Sequence, residues 1–243
     1  MFNSIKTKII VLVSVLILIL VAGSTYFAYQ QSRDILDNTL QKEALSSAQQ
    51  GAEMINVWAK EKGKIIQNLA LSDTIKNMNW KRQYQELKRI AKNDKEIESL
   101  FIVDPQGNMK DTNKFSTNVS DQKYFKRVSN TKQQVFSKPL ESFETGKPIT
   151  IVASPIYKND KYVGIVGGVI TLEILQKLVK EMDIDGKGHG WIVDGEMNTI
   201  AHPNNKYLGN KDIFKEAGDN LRQIATKMSA QNTGYRHYHL NNE

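Results

Sequence analysis

Four histidines, His189, His202, His237 and His239, are the side chains best suited to metal ligation or proton transfer. His237 and His239 stand two apart in the strand-like run GYRHYHL, so they share one face that could grip a metal ion. No third ligand is evident beside them, and no metal site is assigned. Gly146-Lys147 has the look of a phosphate loop. However, Glu141 stands where that loop needs its first glycine, and Pro148 follows where serine or threonine is needed. GKGHG, at 186–190, precedes a strand-like run instead of following one, which argues against a dinucleotide loop. Cysteine is absent, which excludes thiol nucleophiles, thiolate metal sites and disulfides. No Ser-His-Asp arrangement can be argued, so the chain reads as a non-enzyme without a cofactor.

The elements around these residues point to binding. In 243 residues there is room for one large or two ordinary domains. No charge occurs between Lys8 and Arg33. Ile9–Tyr29, as a helix, would span on the order of 30 Å, about the thickness of a bilayer's hydrocarbon core. Lys6 and Lys8 precede it, so the positive-inside rule puts the N-terminus in the cytoplasm and the remainder outside, in a single-pass arrangement. Ala22-Gly23-Ser24 also offers a signal-peptide cleavage site, and that reading exports the remainder equally. The net charge of +7 is scattered among acids without a basic-aromatic array, which argues against a nucleic-acid partner.

No proline occurs before Pro105, which favours long helices. Leu36, Leu40, Ala44, Ala48, Ala52, Ile55 and Ala59, then Ile65, Ile66 and Leu69, recur at helical spacing. They predict one helix running out of the apolar span to about Leu69, and the small residues Ala44, Ala48 and Ala52 suggest pairing in a homodimer. A second helix follows, with Ser72 or Asp73 as cap and Trp80, Tyr84, Leu87 and Ile90 inward. From Ile97 the pattern becomes strand-like. FIVDPQGN and MKDT form a hairpin, Ser120 or Asp121 caps a short helix, and three strands and the helix LEILQKLVKEM close the unit. FIVDPQGN at 101–108 then returns as WIVDGEMN at 191–198, ninety positions on, followed again by a strand and a short helix, DIFKEAGDNL. Asp104 and Asp194 are expected to start turns in both copies. The second copy has room for one strand where the first has three, so the chain reads as a fragment or as truncated at the C-terminus.

Together FIVDPQGN, SDQKYFKRV, ITIVASPIYKNDKYVGIVGGVITLEIL and GWIVDGEMNTIAHPN, behind a membrane span and a long helix, resemble a double Cache sensor module. The start of the chain looks most like a bacterial methyl-accepting chemotaxis protein. The resemblance implies an α+β fold: an N-terminal transmembrane helix continuing into a long helix, then two tandem PAS-like antiparallel-sheet lobes, the second incomplete. The expected divisions are 1–32 for the cytoplasmic start and span, 33–75 for the long helix, 76–182 for the membrane-distal lobe and 183–243 for the membrane-proximal lobe. It also implies an extracytoplasmic sensing region that binds a small molecule, with signalling partners reached through regions beyond residue 243. A histidine kinase or diguanylate cyclase output on the same sensor, or an anchored extracellular binding protein without output, are the alternatives.

In family members that bind amino acids, an Arg and a Trp-Tyr pair at the short helix hold the ligand carboxylate, and an Asp on the last strand takes the ammonium. By that resemblance the Arg position falls on Gln122, the aromatic pair on Tyr124 and Phe125, the Asp on Val169, and a further tyrosine position near Thr117. Asp121 and Thr171 stand nearby. These seven are the expected ligand-binding residues. Without either charged anchor, the pocket is expected to reject α-amino acids and favour an uncharged or cationic molecule, because each pole of a zwitterion leaving water needs a partner.

Overall fold

The structure is a computed structural model; it describes residues 5–182, 189–194 and 197–208, except the side chains of Lys6 and Asn205. The expected helix at 212–221 and strand at 234–240, with His237 and His239, lie outside the described residues.

The chain divides into two compact units, Met1–Ser47 and Ala48–Glu243. Helix α1 covers Ile5–Leu71. From Ile9 to Val21 its large apolar side chains are exposed, and among the described residues it is the one helix long and apolar enough to cross a membrane. Beyond Ala48 its buried stripe is Gly51, Ile55, Trp58, Lys62, Ile66 and Leu69, fully or half buried. Ile55, Ile66 and Leu69 of the expected face lie on this stripe, while Ala48 and Ala52 are exposed. The stripe is rotated because Trp58 and the aliphatic stem of Lys62 cover more apolar surface than two alanines do.

Two helices follow, α2 (Asp73–Lys76) and α3 (Trp80–Asn93). The expected cap at Ser72 or Asp73 serves only the four-residue α2, and Ser72 makes no side-chain cap bond. Asn79 caps α3 instead, accepting from the Arg82 N–H at 3.3 Å. Leu87 is buried on the inner face as expected, joined by Gln83, whose Nε2 donates to the Ile75 carbonyl at 2.8 Å.

The sheet is built from β1 (Ile97–Val103), β2 (Asn108–Asp111), β3 (Ser116–Asn118), β4 (Val135–Phe136), β5 (Leu140–Glu141), β6 (Pro148–Lys158) and β7 (Lys161–Thr171). Helix α4 (Lys123–Thr131) lies between β3 and β4, and α5 (Glu173–Glu181) follows β7. The order is β3-β2-β1-β7-β6-β4, with β5 also pairing β6, and every pairing is antiparallel. Side-chain alternation gives the sheet two buried faces. Leu100, Ile102, Val152, Val166 and Ile170 pack with Ile66, Leu69 and Leu87 of the helices. Phe101, Val103, Ala153 and Ile165 pack with Tyr124, Phe125 and Val128 of α4. Both faces are covered, which is why β1 and β7 read as near-continuous apolar runs. A second hairpin pairs β8 (Ile192–Val193) with β9 (Thr199–Ala201), and a 3₁₀ turn covers Asn205–Tyr207.

The repeated motif is the same turn twice. Asp104 Oδ1 accepts from the N–H groups of Gln106 and Asn108, both at 2.9 Å, and Oδ2 accepts from Asn108 Nδ2 at 2.8 Å. Asp194 takes Asn198 N–H at 2.9 Å and Asn198 Nδ2 at 2.8 Å in the same way. Replacing Asp104 with alanine leaves those donors to water and should lower stability by about 1–2 kcal/mol. Chemical denaturation checks this, and D104N, which keeps an acceptor at Oδ1, should recover about half of the loss.

Candidate functional site

Helix α4 starts where the chain leaves β3. Gln122 occupies its N-cap position in extended conformation (φ −68°, ψ 138°) but makes no side-chain cap bond. The expected caps Ser120 and Asp121 therefore do not serve it. Asp121 is almost wholly exposed and faces Lys126 at 3.3 Å. Gln122 and Thr117 are exposed as well, Thr117 on β3 opposite Met109.

Tyr124 and Phe125 behave differently. Both are buried against the sheet with Phe101, Met109, Val119, Val128 and Ile165, and Val169 packs at the edge of the same cluster. The Tyr124 ring lies 6.0 Å from that of Phe101, tilted by 57°. Its hydroxyl donates to the Met109 sulfur at 3.9 Å. Burial pushes the phenol well above its usual range. Thr171, on the same face of β7 two residues beyond Val169, is buried, and its N–H donates to the Glu96 carbonyl at 2.8 Å. Of the seven expected residues, then, Tyr124, Phe125 and Val169 converge in one apolar cluster. Thr171 sits further along that face, and Thr117, Asp121 and Gln122 stay at the surface.

What keeps the cluster tight is Phe101, whose ring lies over Gly167; a Cβ on that glycine would collide with it. The cluster is apolar apart from the hydroxyl groups of its tyrosines. The cluster's own side chains supply no charge for an ionic ligand.

A cleft lies elsewhere in the fold. It measures about 900 Å³ and is lined by Trp58, Lys62, Leu175 and Leu178, among others. At its edge Lys62 is 4% exposed, its ammonium 2.6 Å from Asp94 and 2.8 Å from Glu96. Trp58 Nε1–H donates to Glu96 at 2.8 Å. Burial pulls the Lys62 ammonium down, but the bonds to Asp94 and Glu96 outweigh it and hold it above its ordinary value. Sequence reading missed this cluster. The signal was present: Lys62 follows Trp58 and precedes Ile66 at helical spacing of four, a charged side chain in an inward register.

Beside the second hairpin, His202 is buried, and its Nε2 lies 3.3 Å from that of His189. Burial and the neighbouring His189 hold the His202 imidazole below its usual value. Among the described residues no group of three or more His, Cys, Asp or Glu side chains could hold a metal ion together.

Comparison with known proteins agrees with this architecture. Residues 28–241 match the Cache domain family. Methyl-accepting chemotaxis protein McpA of Bacillus subtilis (strain 168) is 24% identical over 210 residues, covering 83% of this chain and 31% of that protein. Methyl-accepting chemotaxis protein McpA of Pseudomonas putida (strain KT2440) is 32% identical over 106 residues, or 42% of this chain and 16% of that protein. The chain thus spans less than a third of the length of these relatives. The ligand-binding domain of Pseudomonas fluorescens chemoreceptor CtaA, solved in complex with L-isoleucine, aligns with a TM-score of 0.64 at 17% identity. That alignment covers 77% of this chain and 79% of the other, a likeness of fold. With the family matched over most of its length, the chain belongs to the Cache domain family.

Proposed function

We propose that this chain is the extracytoplasmic ligand-sensing region of a transmembrane chemoreceptor. One observation carries the reading: an exposed, uncharged helical run from Ile9 to Tyr29 stands ahead of a Cache domain in one chain. A globular protein in water does not leave such a run uncovered, whereas a bilayer covers it. The relatives' names as methyl-accepting chemotaxis proteins support a chemotaxis output over a kinase or cyclase. The coding sequence after residue 243 tests this, since a nucleotide-binding domain there would reject it. The repeated Asp104 and Asp194 turns support two tandem lobes, 76–182 and 183–243. Exposed Ala48 and Ala52 support a homodimer, for which disulfide cross-linking of A48C is the test.

The recognition site in this reading lies between α4 and the sheet, at Thr117, Asp121, Gln122, Tyr124, Phe125, Val169 and Thr171. A small uncharged or cationic molecule with apolar surface is its ligand. An α-amino acid would find an amide at Gln122 and an isopropyl group at Val169 where its two charges need opposite charges. Calorimetric titration of the chain with each of the twenty standard amino acids should therefore show no binding at micromolar concentration. A single micromolar binder sinks the ligand class. A thermal-shift screen of neutral and cationic metabolites is the positive counterpart, since a ligand that binds only the folded state raises the melting temperature.

A further inference from the structure

We propose that His189 and His202 form a two-imidazole binding site for a late first-row divalent metal ion, Zn²⁺, Ni²⁺ or Cu²⁺. The hairpin brings them together: Ile192 pairs with Ala201, so the residues before one strand and after the other run side by side. Their Nε2 atoms are 3.3 Å apart, the ring centroids 5.0 Å apart and the ring planes 82° to one another. Two imidazole nitrogens held at about 2.1 Å from a tetrahedral Zn²⁺ lie roughly 3.4 Å apart. Without an ion the same 3.3 Å separation serves a direct N–H···N bond between the rings. Imidazole pairs select this group of metals over Mg²⁺ and Ca²⁺, which prefer oxygen.

The surroundings of His202 supply the outer partner that a metal-bound imidazole needs. The Asn204 main chain offers its N–H to Nδ1 at 2.9 Å and its carbonyl oxygen at 3.2 Å. With no metal, Nδ1 accepts the N–H and Nε2–H points to His189. With a metal on Nε2, the proton moves to Nδ1 and can go to the carbonyl only when the Asn204 N–H, which faces Nδ1 at 2.9 Å, turns aside; no net proton is lost. Trp191 and Tyr207 pack edge-on against His202, with centroids at 6.3 and 4.9 Å, which orients the ring. His189 is exposed and gives the ion a route from solvent. Among the described residues no third His, Cys, Asp or Glu completes the set.

The test is calorimetric titration of the tag-free full chain in detergent with ZnCl₂, with MgCl₂ as control. One Zn²⁺ per chain is expected at micromolar concentration, with no Mg²⁺ response. H189N, a change at an exposed position, should weaken Zn²⁺ binding at least tenfold, while the H237N/H239N double variant binds as the parent does. Co²⁺ added to the parent should give the visible absorption of a nitrogen-ligated site, a readout that does not depend on any variant folding. Absence of Zn²⁺ binding by the parent, unchanged affinity in H189N, or loss only in H237N/H239N overturns the assignment. None of these outcomes bears on the amino-acid titration, which tests the sensing site separately.

Discussion

Replacing Phe101 with alanine should lower the unfolding free energy by about 3–5 kcal/mol, the range for emptying a buried aromatic position. Phe101 is 1% exposed, lies over Gly167 and faces Tyr124, so no neighbour can swing in to refill the space without leaving its own packing. The melting temperature should fall by roughly 10 °C for a chain of this length. F101L, which keeps most of the volume, should lose less than half as much. The variant also reports on recognition. A cavity lined by Met109, Ile165 and Tyr124 is apolar and should admit a small aromatic such as benzene or indole. Such a probe should raise the melting temperature of F101A and leave the parent unmoved. If F101A is as stable as the parent, the packing of α4 on the sheet described above is wrong.

The second large effect is expected at Lys62. Changing it to methionine keeps the stem but leaves Asp94 and Glu96 facing each other without a cation. Breaking a fully buried pair costs about 3–5 kcal/mol, and partial solvent access to the carboxylates brings this to about 2–3 kcal/mol. Those side chains are 20% and 31% exposed. The effect has a pH signature. Lys62 is held above its ordinary value in the folded chain, so its contribution is complete below the unfolded lysine pKa. It fades only as pH rises through the folded value. The stability gap between parent and K62M should therefore be constant from neutral to mildly alkaline pH and narrow above about pH 10.5. Urea titrations at several pH values would show it, and a gap that closes near neutrality would mean the ammonium is not the stabilising group. The double change K62M/E96Q, which removes one stranded charge, should recover part of the loss.

The same cluster ties the long helix to the sheet. Glu96 binds Lys62 and Trp58 through its carboxylate and receives the Thr171 N–H on its carbonyl. A displacement at the end of β7 therefore has a direct polar connection to α1. In the proposed receptor this polar link joins lobe and helix alongside the apolar packing of Ile66 and Leu69 on the sheet.

Much of the molecule was legible in the chain itself. The uncharged run before Arg33, the apolar strands and the turn chemistry of Asp104 and Asp194 are local properties. Each depends on side chains within a few residues of one another, and backbone geometry turns that spacing into helix, strand or turn. The succession of strands and helices follows from them. Tertiary packing decided the rest. Which stripe of α1 is buried depended on Trp58 and Lys62 meeting residues some thirty positions away, Asp94 and Glu96, whose partnership no spacing reveals. Helix α3 begins after its cap Asn79 because the short helix α2 takes up the candidates Ser72 and Asp73. The meeting of Tyr124 with Phe101, whose ring the register of β1 on β7 brings over Gly167, was not readable from spacing. The approach of His189 to His202 likewise exists only once the second hairpin is formed, because two side chains thirteen residues apart meet only when a turn folds the chain back.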